Sequence, residues 1–293
     1  MVHLPADVGA GNAEPKAVIA GALSFAAERT VPSLPGVLDG PLSEILGTIA
    51  YVSSPRARRA VRANLGVIAP HRPRLVRKVF VEQARHYLET FRLLRLDHRE
   101  LLEIVEIHGW ENITEPYARG RGVVLASAHL GPVVLCGQIV AAKGLDCSVL
   151  VEPKHGELGR VIDRARGALG VKTIETSSVM GIGRALKRGG VIGWLADRAI
   201  SGVGERVQFF GREALIPSGH VAIALRTGAA LVPGFAFREN GQVKAFIEPE
   251  IELRRTADRE ADVREGVRRW AEALEPWVRK GPEQWSVFEE VWR

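Results

Sequence analysis

From residue 120 onward, short apolar runs alternate with longer stretches whose apolar residues recur at helical spacing. The short runs predict strands and the longer stretches predict amphipathic helices. The predicted strands are 122–126, 145–151, 171–174, 190–195 and 230–237, followed by a hairpin-like pair near 243–253. The predicted helices are 132–143, 156–168, 178–188, 217–227 and 261–279. This alternation predicts an α/β fold with a central mixed, mainly parallel sheet flanked by helices.

The first part of the chain predicts a mainly helical segment. Residues 1–15 contain several Gly and Pro and are predicted to be disordered. The following elements are two short apolar helices within 16–53, a helix from Ser54 (a candidate N-cap) through Leu65, a helix over Leu75–Leu94, a strand at Val105–His108 and a short helix at Asn112–Ala118. No composition break separates later units, so residues 16–293 are predicted to form one domain, with a helical part at 16–100 and an α/β core at 101–293.

Charge is concentrated in the helical part. The net charge is +6, but residues 56–95 alone carry eleven Lys or Arg against two acids, Glu82 and Glu89. A basic face of this density suits an anionic surface, although an ordinary solvated helix face is the simpler reading of any single arginine. Because no nucleic-acid-binding motif is present, we expect an inner-leaflet membrane surface as partner and no nucleic acid.

The apolar N-terminal segments are too short to cross a bilayer. Ala17–Ala27 has eleven residues, and a spanning helix needs about 20. No basic region precedes it and no clear cleavage site follows, so it is not predicted to be a signal peptide. Two interpretations stay open: a segment that lies on the membrane, and two core helices of a helical cap.

The sequence predicts neither a metal nor a resident cofactor. Cys136 and Cys147 lack zinc-ligand spacing and lie in apolar surroundings, which favours reduced, buried, intracellular thiols. The eight histidines show no metal-ligand spacing. The pairs Gly181/Gly183 and Gly202/Gly204 do not fit a dinucleotide-binding loop.

The candidate chemistry lies where apolar strands end. His129 follows the run Val123–Ala126 and precedes Gly131 and Pro132, a proline suited to the first turn of a helix. In open α/β sheets that edge binds ligands, although a single histidine is more often a packed, hydrogen-bonded residue. Asp197 and Arg198 follow a second apolar run and should reach the same edge. Two further blocks are 205–219, expected to be a loop with an apolar wall, and 225–233, a helix that turns at a glycine into a strand.

In this order the blocks resemble the bacterial lipid A biosynthesis acyltransferase family, including its relatives that acylate phosphatidylinositol mannosides, within the lysophospholipid acyltransferase superfamily. The resemblance covers nearly the whole chain. It rests on Arg59 to Leu65 with Pro70, on Glu89, on Gly120–Gly131, on Asp197 with Phe209–Gly211, on Thr227–Pro233 and on Pro282–Trp285.

The resemblance implies transfer of a fatty acyl chain from acyl carrier protein or acyl-CoA to a hydroxyl of a glycolipid or lysolipid, at the cytoplasmic face of the inner membrane. His129 would be the general base. Donors near its turn would stabilise the oxyanion. The implied substrate-binding residues are Gly131, Arg164, Arg166, Arg198, Glu205, Phe209 and Phe210.

One position departs from the family pattern. The family has Asp or Glu five residues after the histidine, whereas this chain has Val134. Asp197 is our first choice for the missing acid, followed by Glu205 and Glu152. Otherwise the histidine works alone, or the protein binds acyl lipids without turning them over. The acyl-transfer hypothesis predicts a carboxylate within about 3.2 Å of a ring nitrogen of His129, directly or through a water molecule.

Overall fold

The computed structural model describes residues 27–151, 163–165, 167–199 and 202–292. The strands in this part of the chain are β1 (Val105–His108), β2 (Val123–Ser127), β3 (Cys147–Val151), β4 (Lys172–Glu175), β5 (Val191–Leu195), β6 (Glu205–Phe209), β7 (Arg212–Ile216), β8 (Ala230–Glu239) and β9 (Gln242–Ile247). The α-helices are α1 (Asp39–Ser53), α2 (Pro55–Ile68), α3 (Leu75–Arg92), α4 (His98–Ile104), α5 (Glu111–Ala118), α6 (Val133–Ala142), α7 (Val179–Lys187), α8 (Gly219–Thr227) and α9 (Arg259–Lys280).

Seven of these strands form one twisted layer in the order β1-β9-β8-β2-β5-β3-β4. The five strands from β8 to β4 pair in parallel. At the other end, β9 pairs antiparallel with β8, and β1 pairs parallel with β9. The predicted α/β fold with a mixed, mainly parallel sheet is therefore confirmed.

The sheet is covered by helices on both faces, as parallel strands require. Successive residues of a strand point to opposite faces. Val123 accordingly packs with Ile113 of α5 and Val140 of α6. Its neighbour Val124 belongs to the larger core formed with α7, α8 and α9, in which Trp270 is fully buried.

In the second half of the chain, two hairpins with two-residue turns differ from the prediction. The expected pair near 243–253 is wrong, because β9 ends at Ile247 and pairs with β8 through the turn Asn240-Gly241. The expected loop at 205–219 is instead the hairpin β6–β7, which turns at Phe210-Gly211. All four turn residues have positive φ, between 50° and 82°, as the commonest two-residue hairpin turn requires.

The helical part also differs in detail from the prediction. Ser54 makes no side-chain cap, and α2 continues to Ile68 instead of ending at Leu65. Helix α4 was not predicted, although its N-terminus is a reciprocal capping box between Asp97 and Glu100. Most of the predicted helix 156–168, the predicted disorder at 1–15 and nearly all of the apolar segment 17–27 lie outside the described residues.

Helices α1, α2 and α3 pack against one another, and α3 also contacts α6. Helix α1 lies along α3, and α2 packs against α3 through a small apolar core that also takes in Phe288 near the C-terminal end. Within the described ranges, no helix is both long enough and apolar enough to cross a bilayer.

Candidate active site

The candidate site lies where two neighbouring parallel strands end. Strands β2 and β5 pair in a register that places Ser127 opposite Leu195, and the backbone N–H of Ala196 donates to Ser127 O at 2.8 Å. His129 and Asp197 each follow two residues after this pair. The register therefore delivers an imidazole and a carboxylate to the same point of the sheet edge.

His129 and Asp197 contact each other through two hydrogen bonds. The ring Nδ1 of His129 lies 2.7 Å from Asp197 Oδ1, and the backbone N–H of His129 donates to Asp197 Oδ2 at 2.9 Å. A carboxylate on Nδ1 favours the tautomer with the proton on that nitrogen. Nε2 is then left as an unprotonated acceptor, the state that a general base needs.

Asp197 is almost completely buried, and its charge is compensated by donors. Burial by itself would raise the pKa of this carboxyl, but the charge and hydrogen bonds of His129, together with the indole N–H of Trp285, hold the pKa below its usual value. Trp285 Nε1 donates to Asp197 Oδ2 at 2.9 Å. The carboxylate therefore stays ionised beside the imidazole.

A short C-terminal segment holds the loop that carries His129. We call Gln284–Ser286 the strap. Its backbone brackets the loop, because Gly131 N donates to Gln284 O at 2.9 Å and Ser286 N donates to His129 O at 2.8 Å. Gly131 has φ +57°, and a Cβ there would lie 2.6 Å from the carbonyl oxygen of Ala236. Only glycine therefore fits where the His129 loop passes close to the backbone of β8.

Arg198 contacts the second ring nitrogen of His129. Its Nη1 lies 3.5 Å from His129 Nε2, and its Nε donates to Glu289. The backbone N–H groups of His129, Gly131 and Val133 already donate to Asp197, Gln284 and Gly131 respectively. Because those three donors are occupied, the guanidinium of Arg198 is a better candidate than the turn for stabilising an oxyanion.

Of the other predicted cations and acids, the two that the structure describes, Arg164 and Glu205, pair with residues other than His129. Arg164 binds Glu28, with Nη2 to Oε2 at 2.7 Å. Arg166 and Glu152 lie outside the described residues. Glu205 lies on β6 and pairs with Arg264 of α9, with Nε to Oε2 at 3.3 Å.

The two phenylalanines of the predicted apolar wall, Phe209 and Phe210, belong to an aromatic cluster next to the strap. Phe209 is fully buried and stacks on Trp292, with ring centroids 5.6 Å apart, and its edge meets Trp285. Phe210 is partly buried, and the guanidinium of Arg279 lies over its ring. This aromatic cluster packs against the ring of Trp285 in the strap.

Glu89, which matched the family motif, forms a second buried ion pair. It contacts Arg238, and both side chains are largely buried. Burial raises the pKa of Glu89 to about 7, although the positive charges of Arg238 and Arg85 lower it. Gln284 connects this pair to the strap, because its side-chain amide hydrogen-bonds both backbone groups of Arg238 at 2.8 Å.

An apolar cavity of about 110 Å³ lies between α6 and the sheet. Ser127 and Leu195, which immediately precede the His129 and Asp197 loops, line one part of it. Val134, the residue at the family's acidic position, also lines it, so this position contributes to an apolar wall here. At Gly137 of α6, a Cβ would meet no atom within 4 Å, so the helix leaves open space beside the cavity.

The two cysteines are free thiols and are poorly suited to nucleophilic chemistry. Burial raises the pKa of both, that of Cys147 to about 12, so the reactive thiolate is suppressed. Within the described ranges, no three His, Cys, Asp or Glu side chains gather in a way that could hold a metal ion.

Comparison with known proteins agrees with the geometry. The family model of bacterial lipid A biosynthesis acyltransferases matches residues 17–293, which confirms the resemblance found in the motifs. The phosphatidylinositol mannoside acyltransferase of Mycolicibacterium smegmatis is 28% identical over 184 residues, 61% of this chain and 60% of that protein. The enzyme of the same name from Mycobacterium tuberculosis is 29% identical over 157 residues, 51% of this chain and 50% of that protein. The chain thus spans about half to three fifths of the length of these relatives.

Proposed function

Because the chain belongs to the bacterial lipid A biosynthesis acyltransferase family, we propose that it moves a fatty acyl group from an acyl carrier protein or acyl-CoA thioester to a lipid hydroxyl. The acceptor class is a glycolipid or a lysolipid. The names of the two mycobacterial relatives favour a glycolipid that contains mannose and inositol phosphate. No resident cofactor is needed, since the thioester supplies the activated acyl group.

The contact between His129 and Asp197 carries this proposal. In the proposed step, Nε2 of His129 takes the proton of the acceptor hydroxyl while the oxygen attacks the thioester carbonyl. The guanidinium of Arg198 stabilises the negative charge that develops on the carbonyl oxygen. The intermediate then expels the thiolate, which receives the proton from Nε2. Asp197 keeps the imidazole in the required tautomer and stabilises its transient positive charge.

The alternative function, acyl-lipid binding without turnover, was motivated by Val134. The distance of 2.7 Å from Asp197 Oδ1 to the His129 ring meets the requirement that separates the two hypotheses. An acid from the neighbouring strand thus takes the position at the imidazole that an acid on α6 would otherwise occupy. This contact favours the enzyme over the binding protein.

The apolar cavity beneath α6 is suited to the acyl chain. Its walls are apolar, and Ser127 and Leu195 connect it to the loops that carry His129 and Asp197. A fatty acyl chain gains about 0.8 kcal/mol for each methylene that it buries. We assign this cavity to the transferred chain.

The outer surface of α1 supports a peripheral position on the cytoplasmic face of the membrane. Its exposed side includes Ile45, Leu46, Ile49 and Val52, with exposures of 46–64%. The two acids of α1 are neutralised by arginines of α3, in the pairs Asp39–Arg92 and Glu44–Arg77. Helices α2 and α3, which contact α1, carry exposed basic residues, namely Arg56, Arg59, Arg62 and Lys78. Apolar insertion beside positive charge is the chemistry of binding to an anionic bilayer.

The test of the reaction is transfer of labelled acyl groups from acyl-CoA and from acyl carrier protein into a total lipid extract. We expect His129→Ala to abolish the product and Asp197→Asn to reduce the rate by up to about 10⁴-fold. His71→Ala, which changes an exposed histidine, is the matched control and should retain full activity. The enzyme would be ruled out if the wild type formed no product with either intact donor. If His129→Ala then bound acyl lipids as well as the wild type does, the binding function would stand in its place.

The assignment of the cavity has its own test. Gly137→Leu should fill space next to the cavity and shift the preference of the enzyme toward shorter acyl chains. Gly183→Leu is the control, because Gly183 also lies in a helix with no atom within 4 Å of its would-be Cβ but lies outside the cavity. An unchanged chain-length profile in Gly137→Leu would place the acyl chain elsewhere.

A further inference from the structure

Asp197 receives hydrogen bonds from two separate parts of the chain. Oδ1 faces His129 Nδ1, whereas Oδ2 accepts the backbone N–H of His129 and the indole N–H of Trp285, each at 2.9 Å. Trp285 belongs to the strap, lies 88 residues after Asp197 and is only 3% exposed. The carboxylate is thus held at both oxygens.

We propose that Trp285 is a positioning residue of the acyl-transfer reaction, whose indole N–H fixes the plane of the Asp197 carboxylate so that Oδ1 holds the His129 ring. This inference rests on the proposed function. With two donors on Oδ2, rotation about the Cβ–Cγ bond of Asp197 breaks two hydrogen bonds at once. Without the indole N–H, the carboxylate gains freedom to turn, and Nε2 loses its fixed direction toward the acceptor hydroxyl.

Packing alone does not account for an indole at this position. The ring of Trp285 meets Phe209 and Trp292 edge to face, contacts that a phenyl ring also makes. Trp292 lies in the same cluster, and its indole N–H donates to the backbone carbonyl of Phe209 at 3.0 Å. One cluster therefore holds two indole donors, of which the buried one, Trp285, bonds the candidate catalytic carboxylate, and the partly buried one, Trp292, bonds a backbone oxygen.

Few other charges act on the pair. Within the described residues, the charged groups next to His129 and Asp197 are Arg198 and, through its ion pair, Glu289. The indole N–H of Trp285 donates to Asp197 and to neither of these two residues. Replacement of the indole by a phenyl ring therefore removes one of the two donors on Oδ2 without removing a charged group from the site.

The experiment compares Trp285→Phe with Trp292→Phe by measuring kcat/KM of acyl transfer over a range of pH. Loss of a hydrogen bond to a charged group predicts a fall of about ten- to a hundredfold for Trp285→Phe. In Trp285→Phe, the acid limb of the pH profile of kcat/KM should also move to higher pH. Loss of the indole donor raises the pKa of Asp197 and therefore favours the protonated form of the His129–Asp197 pair. Trp292→Phe loses an indole hydrogen bond of its own but should keep the pH profile and stay within about twofold of wild type.

Two further measurements make the outcome decisive. In an Asp197→Asn background, Trp285→Phe should have little additional effect on kcat/KM, since the two residues act through one hydrogen bond. The NMR resonance of the His129 Nδ1 proton should shift in Trp285→Phe and stay in place in Trp292→Phe. Equal loss in both single variants, with unchanged pH profiles and NMR resonances, would overturn the positioning role and leave Trp285 as packing. Because the NMR measurement needs no turnover, it separates this inference from failure of the proposed reaction.

Discussion

Helices α1 and α9 are both amphipathic, but they are oriented in opposite ways. Helix α9 turns Val267, Trp270 and Leu274 into the core and presents arginines and glutamates to the outside. Helix α1 turns the small residues Ser43 and Gly47 inward and leaves four large apolar side chains outside, namely Ile45, Leu46, Ile49 and Val52. A Cβ on Gly47 would lie 2.4 Å from the Cα of Val81 in α3, so the inward face of α1 is set by close backbone approach.

The difference shows which of the two helices presents a polar face to solvent. A helix in contact with water buries its apolar face and solvates its charges, as α9 does. Contiguous apolar surface on the outside marks contact with another apolar phase or partner. Since α1 follows this second rule and lies beside basic helix α2, we expect α9 to contribute mainly to the stability of the fold and α1 mainly to membrane binding.

The largest expected effect is on the α9 side. Trp270→Ala removes a fully buried ring that also donates its indole N–H to Ala126 O at 3.4 Å. We expect a loss of about 3–5 kcal/mol in the free energy of unfolding, measured by urea denaturation. Ile49→Ala on α1 is the control and should change that free energy by less than about 0.5 kcal/mol. Similar losses in both variants would mean that the outer side of α1 is packed like α9.

The next effect concerns membrane binding through α1. The double substitution Ile45→Ser and Ile49→Ser removes two large apolar side chains from the exposed side. Each side chain that enters a bilayer contributes about 1.5–3 kcal/mol, so we expect partition into anionic phospholipid vesicles to fall by at least about tenfold. The free energy of unfolding should stay unchanged. Unaltered vesicle binding would mean that α1 does not enter the bilayer and that its apolar side has another partner.

A smaller effect is expected from the charges next to α1. Arg59→Gln with Arg62→Gln should weaken binding to anionic vesicles by about 1 kcal/mol for each charge at low salt. Binding to neutral vesicles, measured in parallel, should change little, and added salt should reduce the difference between the variant and wild type. Equal weakening on neutral and anionic vesicles would show that these arginines act through the fold.

The smallest effect is predicted for the solvated side of α9. Arg268 and Glu272 form an ion pair one turn apart, and about half of each side chain is exposed. Glu272→Gln should therefore change the free energy of unfolding by no more than about 0.5 kcal/mol. A loss above 1 kcal/mol would mean that α9 depends on surface charge more than its buried face suggests.

The sheet edge could be predicted from local pattern, because apolar runs mark buried strands and parallel strands end on the same side. The same pattern predicts that His129 and Asp197 lie at one edge of the sheet, and the 2.7 Å contact between them agrees with this. The orientation of α1 could not be obtained in this way. The sequence of α1 shows its apolar residues. Burial of Ser43 and Gly47 instead of those residues depends on the close approach of the α3 backbone, and the local sequence does not indicate that approach.

Other features were missed for different reasons. Asn240-Gly241 is a strong hairpin signal, whereas Phe210-Gly211 places a bulky residue at positive φ and gives little local indication of a turn. The sequence match at Pro282–Trp285 showed that the segment belongs to the family pattern but did not indicate its contacts. The hydrogen bond from Trp285 to Asp197 joins distant parts of the chain, and such pairs leave no periodic trace.

The strap also has a consequence for biosynthesis. Strands β2 and β5 with their loops leave the ribosome well before Gln284, Trp285 and Ser286 are synthesised. Until these residues are synthesised, the His129 loop lacks the two backbone hydrogen bonds that the strap makes with it. The contacts that fix the His129 loop are thus among the last parts of the candidate site to form during translation.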